Sequence, residues 1–436
     1  MSRHESGART SRSLAPLAVV VVVLLTALAA VVAVRPWAPA GGAVALADDG
    51  AAAAPPAEEV AAEAPAPSPT PQPDAVFTIV AGGDVLPHDT VNRNARETGT
   101  YDFVPLMAAV QPWIAGADLA LCNMEVPLAP PGTQPSGYPM FGAPTELAAN
   151  LRTLGWDGCS TGTNHTLDRG YTGLVHTLDT FDAVGLGHDG SARTQAEADA
   201  PQLYRLEREG QTITIAQIGA TWGTNGIPIP GDAPWAVDLL DGNRIVAQAT
   251  AAREAGADLV VATLHWGVEY QANPTADQVA LAQALAASGQ VDLIIGTHAH
   301  VPQPIDRLPG GPDGSGMWVA YGLGNFLSNQ DTHCCVPQTN TGVFMTATVV
   351  KPADGSARVT GLEWTAFPVD RLGGQRVYAA PDLLAGQTNE RLTLTPAEVE
   401  ARRQRVVDVI GGLATERTAP PTPTGPEPTV VPQPQG

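Results

Sequence analysis

Short apolar runs rich in Val and Ile recur through the middle of the chain, at 77–80, 119–121, 213–218, 259–264, 291–295 and 317–321. Runs of this length without polar interruption suit strands buried on both faces. Between several of them lie helix-length segments, 147–154, 171–184, 241–255 and 275–287, whose apolar residues recur near helical spacing. Thr275 or Asp277 supplies an N-cap for the last of these. The alternation predicts an α/β domain on buried, largely parallel strands. A further helix is predicted within 392–416, where Thr395-Pro396 opens a segment with acids in its first turn and Arg402, Arg403 and Arg405 later.

The ends of the chain follow other patterns. Residues 14–34 are 21 uncharged residues rich in Val, Leu and Ala, about enough to cross a hydrocarbon layer of ~30 Å. Arg3, Arg9 and Arg12 precede this run, and Asp48, Asp49, Glu58 and Glu59 follow it. Positive charge stays inside. The expectation is therefore a cytoplasmic stub (1–13), a single-pass signal anchor (14–35) and a main domain outside the cell. Secretion after cleavage near Ala45-Leu46-Ala47 is the alternative. Residues 36–75, rich in Ala, Pro and Glu, read as an extended linker. The folded domain is expected over 76–385, with a helical segment at 386–417 and a disordered proline-rich tail at 418–436.

Charge narrows the partners. Against 23 Lys and Arg stand 44 Asp and Glu, a formal net charge of −21, which argues against a nucleic-acid binder because phosphate affinity needs cations. Of the four cysteines, Cys122 and Cys159 sit at the ends of apolar runs and read as buried thiols. Cys334 and Cys335 read as a vicinal disulfide.

Candidate chemistry gathers where the apolar runs stop. They lead to Gly83-Asp84, Asn123-Met124-Glu125, Asn164-His165, His265-Trp266 and His298-Ala299-His300. Ligands collect beyond the carboxyl ends of parallel strands, and this inventory of carboxylate, amide and imidazole suits a divalent transition metal. On a strand, His298 and His300 share one face. His176 and His188 are the histidines least expected to bind metal.

These segments, together with His265-Trp266-Gly267-Val268-Glu269-Tyr270, His298-Ala299-His300-Val301-Pro302-Gln303 and Tyr321-Gly322-Leu323-Gly324-Asn325-Phe326, resemble the CapA family of poly-γ-glutamate capsule synthesis proteins over about 76–350. The resemblance implies a layered α/β/β/α sandwich, similar to the calcineurin-like metallophosphoesterases, with a metal site at the strand ends. It implies one or two divalent ions, a first held by Asp84, Glu125 and His300 and a second by Asn164, His265 and His298. Glu125 would bridge. His165, oriented by Asp168, takes the role of general acid or charge stabiliser. Two departures bear on this: Leu86 stands where the phosphoesterase pattern has a histidine, with His88 two residues on, and Glu125 replaces a shorter Asp. Asn123, Trp266, Glu269, Tyr270, Gln303 and Asn325 are the candidates for substrate contact.

Three functions follow as expectations. The first is an outward-facing, membrane-tethered protein with a hydrolase-like metal site, acting on poly-γ-glutamate or another anionic envelope polymer beside membrane synthase subunits. The second is a secreted metallophosphoesterase for an envelope phosphodiester, and the third a non-catalytic module of a synthase complex. A polyanion meets repulsion from so acidic a domain, so its affinity would rest on the metal and on local cations such as Arg93, Arg96 and Arg169.

Overall fold

The computed structural model describes residues 72–96 and 99–434. The predicted anchor at 14–35, and the linker up to residue 71, lie outside the described residues. Among the described residues no helix is long and apolar enough to cross a membrane.

The strands are, in chain order, β1 (Ala75–Val85), β2 (Leu119–Met124), β3 (Gly158–Ser160), β4 (Gly187–Asp189), β5 (Gln202–Arg208), β6 (Gln211–Thr221), β7 (Leu259–His265) and β8 (Leu293–Thr297). They continue with β9 (Ile305–Leu308), β10 (Met317–Ala320), β11 (Asn325–Leu327), β12 (Thr341–Lys351), β13 (Arg358–Asp370), β14 (Arg376–Val377), β15 (Thr415–Glu416) and β16 (Thr429–Val431). Two sheets form. One runs β14-β13-β12-β1-β2-β3-β4, with β11 beside β1 and β15 beside β13; the other runs β16-β5-β6-β7-β8-β10-β9. In each the centre is parallel, β1 to β4 and β6-β7-β8-β10, while the flanks are antiparallel. The expectation of largely parallel strands holds for the centre and fails at the flanks, chiefly at the long β12–β13 hairpin.

Side-chain alternation builds the layers. Ile79, Leu121, Ile215, Val261 and Ile295 point between the sheets into a shared core. Val80, Ala120 and Cys122 point the other way, onto the helices α1 (Glu146–Leu154) and α2 (Gly170–Val184). Ala216, Val260 and Ile294 face α3 (Gly242–Glu254) and α4 (Ala276–Ser288). The result is an α/β/β/α stack, as the resemblance implied. Thr275 caps α4 in a capping box with Gln278. Thr395 does the same with Glu398 for α5 (Pro396–Ile410), whose Val399, Val406 and Ile410 join the inter-sheet core.

At the amino-terminal edge of the parallel strands one device repeats. Asp118, Asp157, Asp258 and Asp292 each accept the backbone N–H of a residue on the neighbouring strand, at 2.6–2.9 Å. Each also pairs with a cation: Arg208, Arg152, Lys351 and Arg253 respectively. The Asp118–Arg208 and Asp258–Lys351 pairs link one sheet to the other. The Asp118–Arg208 pair is buried at both ends, and such a pair is costly to break at one end only.

The tail departs from expectation. Thr424 N–H donates to Asp118 at 2.6 Å, and β16 pairs antiparallel with β5. The described part of 418–436 is thus ordered along a sheet edge, because β5 exposes backbone donors and acceptors that need a partner. Nor do Cys122 and Cys159 remain separate thiols. They are register partners on β2 and β3 and form a disulfide. Cys334 and Cys335 form the vicinal disulfide.

Candidate metal centre

The site lies where the carboxyl ends of both sheets meet. Along β1 the inward phase runs Phe77, Ile79, Ala81, which by strict alternation would turn Asp84 toward the helices. A register shift between Ala81 and Asp84 resets the phase, so that Val85 faces the helices and Asp84 the site. A bulge of this kind re-aims a side chain. Gly83 makes it feasible by letting the backbone approach Gly324, whose carbonyl accepts the Asp84 N–H at 2.9 Å.

Asp84, Glu125 and His300 place ligand atoms within 4.8 Å of one another, and all three are buried. His300 Nδ1 lies 3.1 Å from Asp84 Oδ2 and 3.1 Å from Asn325 Oδ1, and its Nε2 lies 3.5 Å from Glu125 Oε1. A second group adjoins the first. His265 Nε2 meets Asn164 Oδ1 at 2.7 Å, its Nδ1 meets Thr297 Oγ1 at 3.0 Å, and its ring lies 4.8 Å from that of His298. Asn123 joins the two by donating to Asp84 Oδ1 at 2.9 Å and approaching His265 Nδ1 at 3.4 Å. The six ligands expected from the resemblance therefore converge on one place.

Electrostatics divides these groups. Burial, with His298 and His300 nearby, holds His265 neutral well below its ordinary range. Burial and His300 bring His298 down to about 3. For His300 burial acts in the same direction, but the Glu125 carboxylate and the bond to Asp84 outweigh it and raise it to about 9. Burial pushes Glu125 well up.

The donor set fits a divalent cation. Neither Glu125 oxygen, nor His298 Nδ1, nor Asn123 Oδ1 has a hydrogen-bond partner, although all are buried. Buried polar atoms are seldom left unsatisfied, and mixed imidazole, carboxylate and amide donors suit zinc, manganese or iron.

The backbone around the histidines differs from the expectation. β8 ends at Thr297, and His298 and His300 lie beyond it with φ of +86° and +58°. A left-handed loop, not strand alternation, turns both rings into the site. Side chains other than glycine seldom adopt such angles, and where they do the surroundings hold them there.

His165 Nδ1 contacts Asp168 Oδ2 at 2.7 Å. Both line a cleft of about 690 Å³ that also receives Glu269, Tyr270 and His88. The remaining substrate candidates are placed otherwise. Trp266 is buried against Tyr321, donating to its carbonyl at 2.9 Å. Adjacent to His265 on a strand, it faces the helices instead. Gln303 is fully buried and bonded to Gln278 and Gln271. Asn123 and Asn325 are fully buried too: the first ties Asp84 to His265, and the second holds His300 while donating to Thr339 O at 2.9 Å. None of these four is among the residues that line the cleft, and in the structure they pack against and position their neighbours.

Sequence reasoning passed over Asn225 and Trp222. Asn225 accepts from Asn164 at 3.1 Å, and the Trp222 ring lies 5.4 Å from that of His298. Both follow β6, whose apolar run was read without its strand end. His88 stands outside the ligand cluster. Its Nδ1 lies 3.0 Å from Leu86 O, and its ring is edge-on to Phe141, which is in turn edge-on to His165. Leu86 is buried in the apolar layer, so that position supplies no ligand.

Burial lowers His88 to about 4. Because the folded value lies below the unfolded one, its contribution is present above pH 6.5 and is lost as pH falls through 4. Between pH 7 and pH 5 the metal-free wild type should lose about 2 kcal/mol more stability than His88→Phe. Urea unfolding at the two pH values measures this, and parallel losses would refute it.

A family model described as bacterial capsule synthesis protein PGA_cap matches residues 78–330, more than half of the chain. The chain belongs to this family. Among its relatives, the PGA biosynthesis protein CapA of Bacillus subtilis is 26% identical over 264 residues, 59% of this chain and 64% of the relative. The capsule biosynthesis protein CapA of Bacillus anthracis is 27% identical over 265 residues, 58% of this chain and 60% of the relative. The match thus spans less than two thirds of either Bacillus protein. Among solved structures, the calcineurin-like phosphoesterase YfkN from Bacillus subtilis is similar with a TM-score of 0.40 and 15% identity, over 77% of this chain and 98% of that one.

Proposed function

We propose that this protein is an accessory factor of poly-γ-glutamate capsule synthesis, with a metal-dependent, hydrolase-like site facing the cell exterior from a membrane tether. Family membership and the CapA relatives support the capsule assignment. The observation that carries the metal site is the buried Asp84, Glu125 and His300 cluster, in which neither Glu125 oxygen has a hydrogen-bond partner.

Asp84, Glu125 and His300 would hold one ion, with Asn164, His265 and His298 beside them. A bound divalent ion supplies Lewis acidity and a nucleophilic hydroxide near neutral pH. The chain's own groups do the rest. Asn325 and Asp84 fix the His300 ring, and Thr297 and Asn164 fix His265. Asp168 orients His165 at the mouth of the cleft, where it can give a proton to a leaving group or stabilise charge.

The test is metal analysis of the purified exterior domain, followed by assays on bis(p-nitrophenyl) phosphate and on poly-γ-glutamate, each with His165→Ala beside the wild type. Cleavage of poly-γ-glutamate that fails in the variant supports the proposal. Turnover of the phosphodiester alone favours an envelope phosphoesterase. Metal-free, well-folded protein favours a binding module of a synthase complex.

A further inference from the structure

No lysine or arginine lines the cleft in front of the cluster among the described residues. Arg169, the cation expected to help hold a polyanion, is engaged instead with Phe141 O at 3.0 Å, Gln134 O at 3.1 Å and Ser136 Oγ. The pendant carboxylates of a polymer therefore meet no cationic side chain on the cleft wall. Recognition falls to hydrogen bonds with the polymer backbone, and one unengaged acceptor stands in the wall.

That acceptor is His88. It occupies the N-cap position of the short helix Asp89–Asn94 without making a capping bond, and it lines the cleft instead. Its Nδ1 lies 3.0 Å from Leu86 O. A carbonyl oxygen can only accept, so Nδ1 carries the proton of the neutral ring, and the 3.4 Å approach of the Asn329 N–H is the weaker contact. Burial keeps the ring neutral at pH 7. Nε2 is then left with a lone pair. It makes no hydrogen bond to the described residues, and unlike His298 Nδ1 it is not shielded from solvent. Two contacts fix the ring. Leu86 is anchored by its own N–H on Leu327 O at 2.8 Å, and the His88 ring stands edge-on to Phe141 at 5.3 Å. Phe141 packs His165 in the same way at 4.8 Å, so one aromatic ring supports His88 and His165 together.

Resting on the capsule reading above, we infer that His88 determines the specificity of this cleft, its Nε2 accepting the N–H of a γ-peptide unit of the bound polymer. In poly-γ-glutamate at neutral pH the carboxylates and carbonyls only accept, and along the interior of the chain the amide N–H is the one donor. A fixed acceptor therefore reads the backbone repeat and holds one peptide unit beside the metal cluster. A phosphodiester linkage offers no such donor.

Calorimetry on the full, manganese-loaded chain tests this with tri-γ-glutamate against its analogue in which both peptide N–H groups are replaced by ester oxygens. The wild type should bind the amide about tenfold more tightly. Asparagine at this position can keep a donor on Leu86 O but places nothing where Nε2 lies, whereas glutamine reaches that place with a carbonyl oxygen. His88→Asn should therefore cut the preference below about threefold, and His88→Gln should restore most of it. A role in the fold alone would not separate the two variants. Equal binding of amide and ester by the wild type overturns the inference while leaving the capsule reading standing, and so does a preference that persists in His88→Asn. Failure of both probes to bind wild-type protein that retains its manganese overturns the capsule reading and the inference together.

Discussion

Glu125→Gln is expected to raise the stability of the metal-free protein while weakening its affinity for manganese or zinc by about two orders of magnitude. The carboxyl group is fully buried and neither of its oxygens is hydrogen-bonded. Burial is the main cause of its raised pKa, and Asp84 and Glu269 add to it, opposed by His300. A buried polar group left unpaired costs about 1–3 kcal/mol. Glutamine keeps the shape and removes the charged form that burial disfavours, so about 1 kcal/mol should be recovered at neutral pH. The same change removes an anionic ligand, and outer-sphere changes alone cost 10–100-fold in metal affinity. The two effects separate in thermal unfolding with EDTA and with excess manganese: the variant should melt higher than the wild type in EDTA and lose most of the metal-induced rise. A variant that melts lower in EDTA and keeps the full rise would show that Glu125 serves the fold and not an ion.

The same residue shows what the sequence could and could not reveal. Strand ends were legible because buried parallel strands are written as uninterrupted Val and Ile runs, and the first polar residues after each run must lie at the carboxyl edge. That rule reached Asp84, Glu125, Asn164, His265, His298 and His300. Adjacency in sequence was a poorer guide to the cleft. Trp266 and Gln303 sit beside or near ligands yet face the helices, and only the fold shows which neighbours share a surface. His298 and His300 reach the site through left-handed backbone, a conformation that no periodicity announces. The tail was misjudged for a related reason, since composition registers its prolines but not the open edge of β5 that receives it. The Cys122–Cys159 pairing depends on strand register, which a separation of 37 residues does not convey.

Gly83→Ala is expected to destabilise the protein by about 3 kcal/mol or more and to lower metal affinity with it. A Cβ at this position would lie 1.8 Å from the Gly324 oxygen and 2.8 Å from its carbonyl carbon. Those are backbone atoms, so no side-chain rotation relieves the clash, and Gly324 is itself confined, with φ +68° and Pro302 atoms 3.1 Å from where a Cβ of its own would lie. Relief requires β1 and β11 to separate. Asp84 and Asn325 are partners in that register, and Asn325 holds the His300 ring. Separation would therefore pull one ligand away while loosening the support of another. Stability and metal binding should fall together because one backbone contact serves both. Gly361→Ala on β13 provides the control, since nothing lies within 4 Å of its added Cβ, and it should change stability by less than about 0.5 kcal/mol. Urea unfolding and metal analysis of the two variants read the outcome. Wild-type stability together with wild-type metal content in Gly83→Ala would mean that the β1–β11 contact does not set the ligand geometry, and the bulge would lose its assigned role.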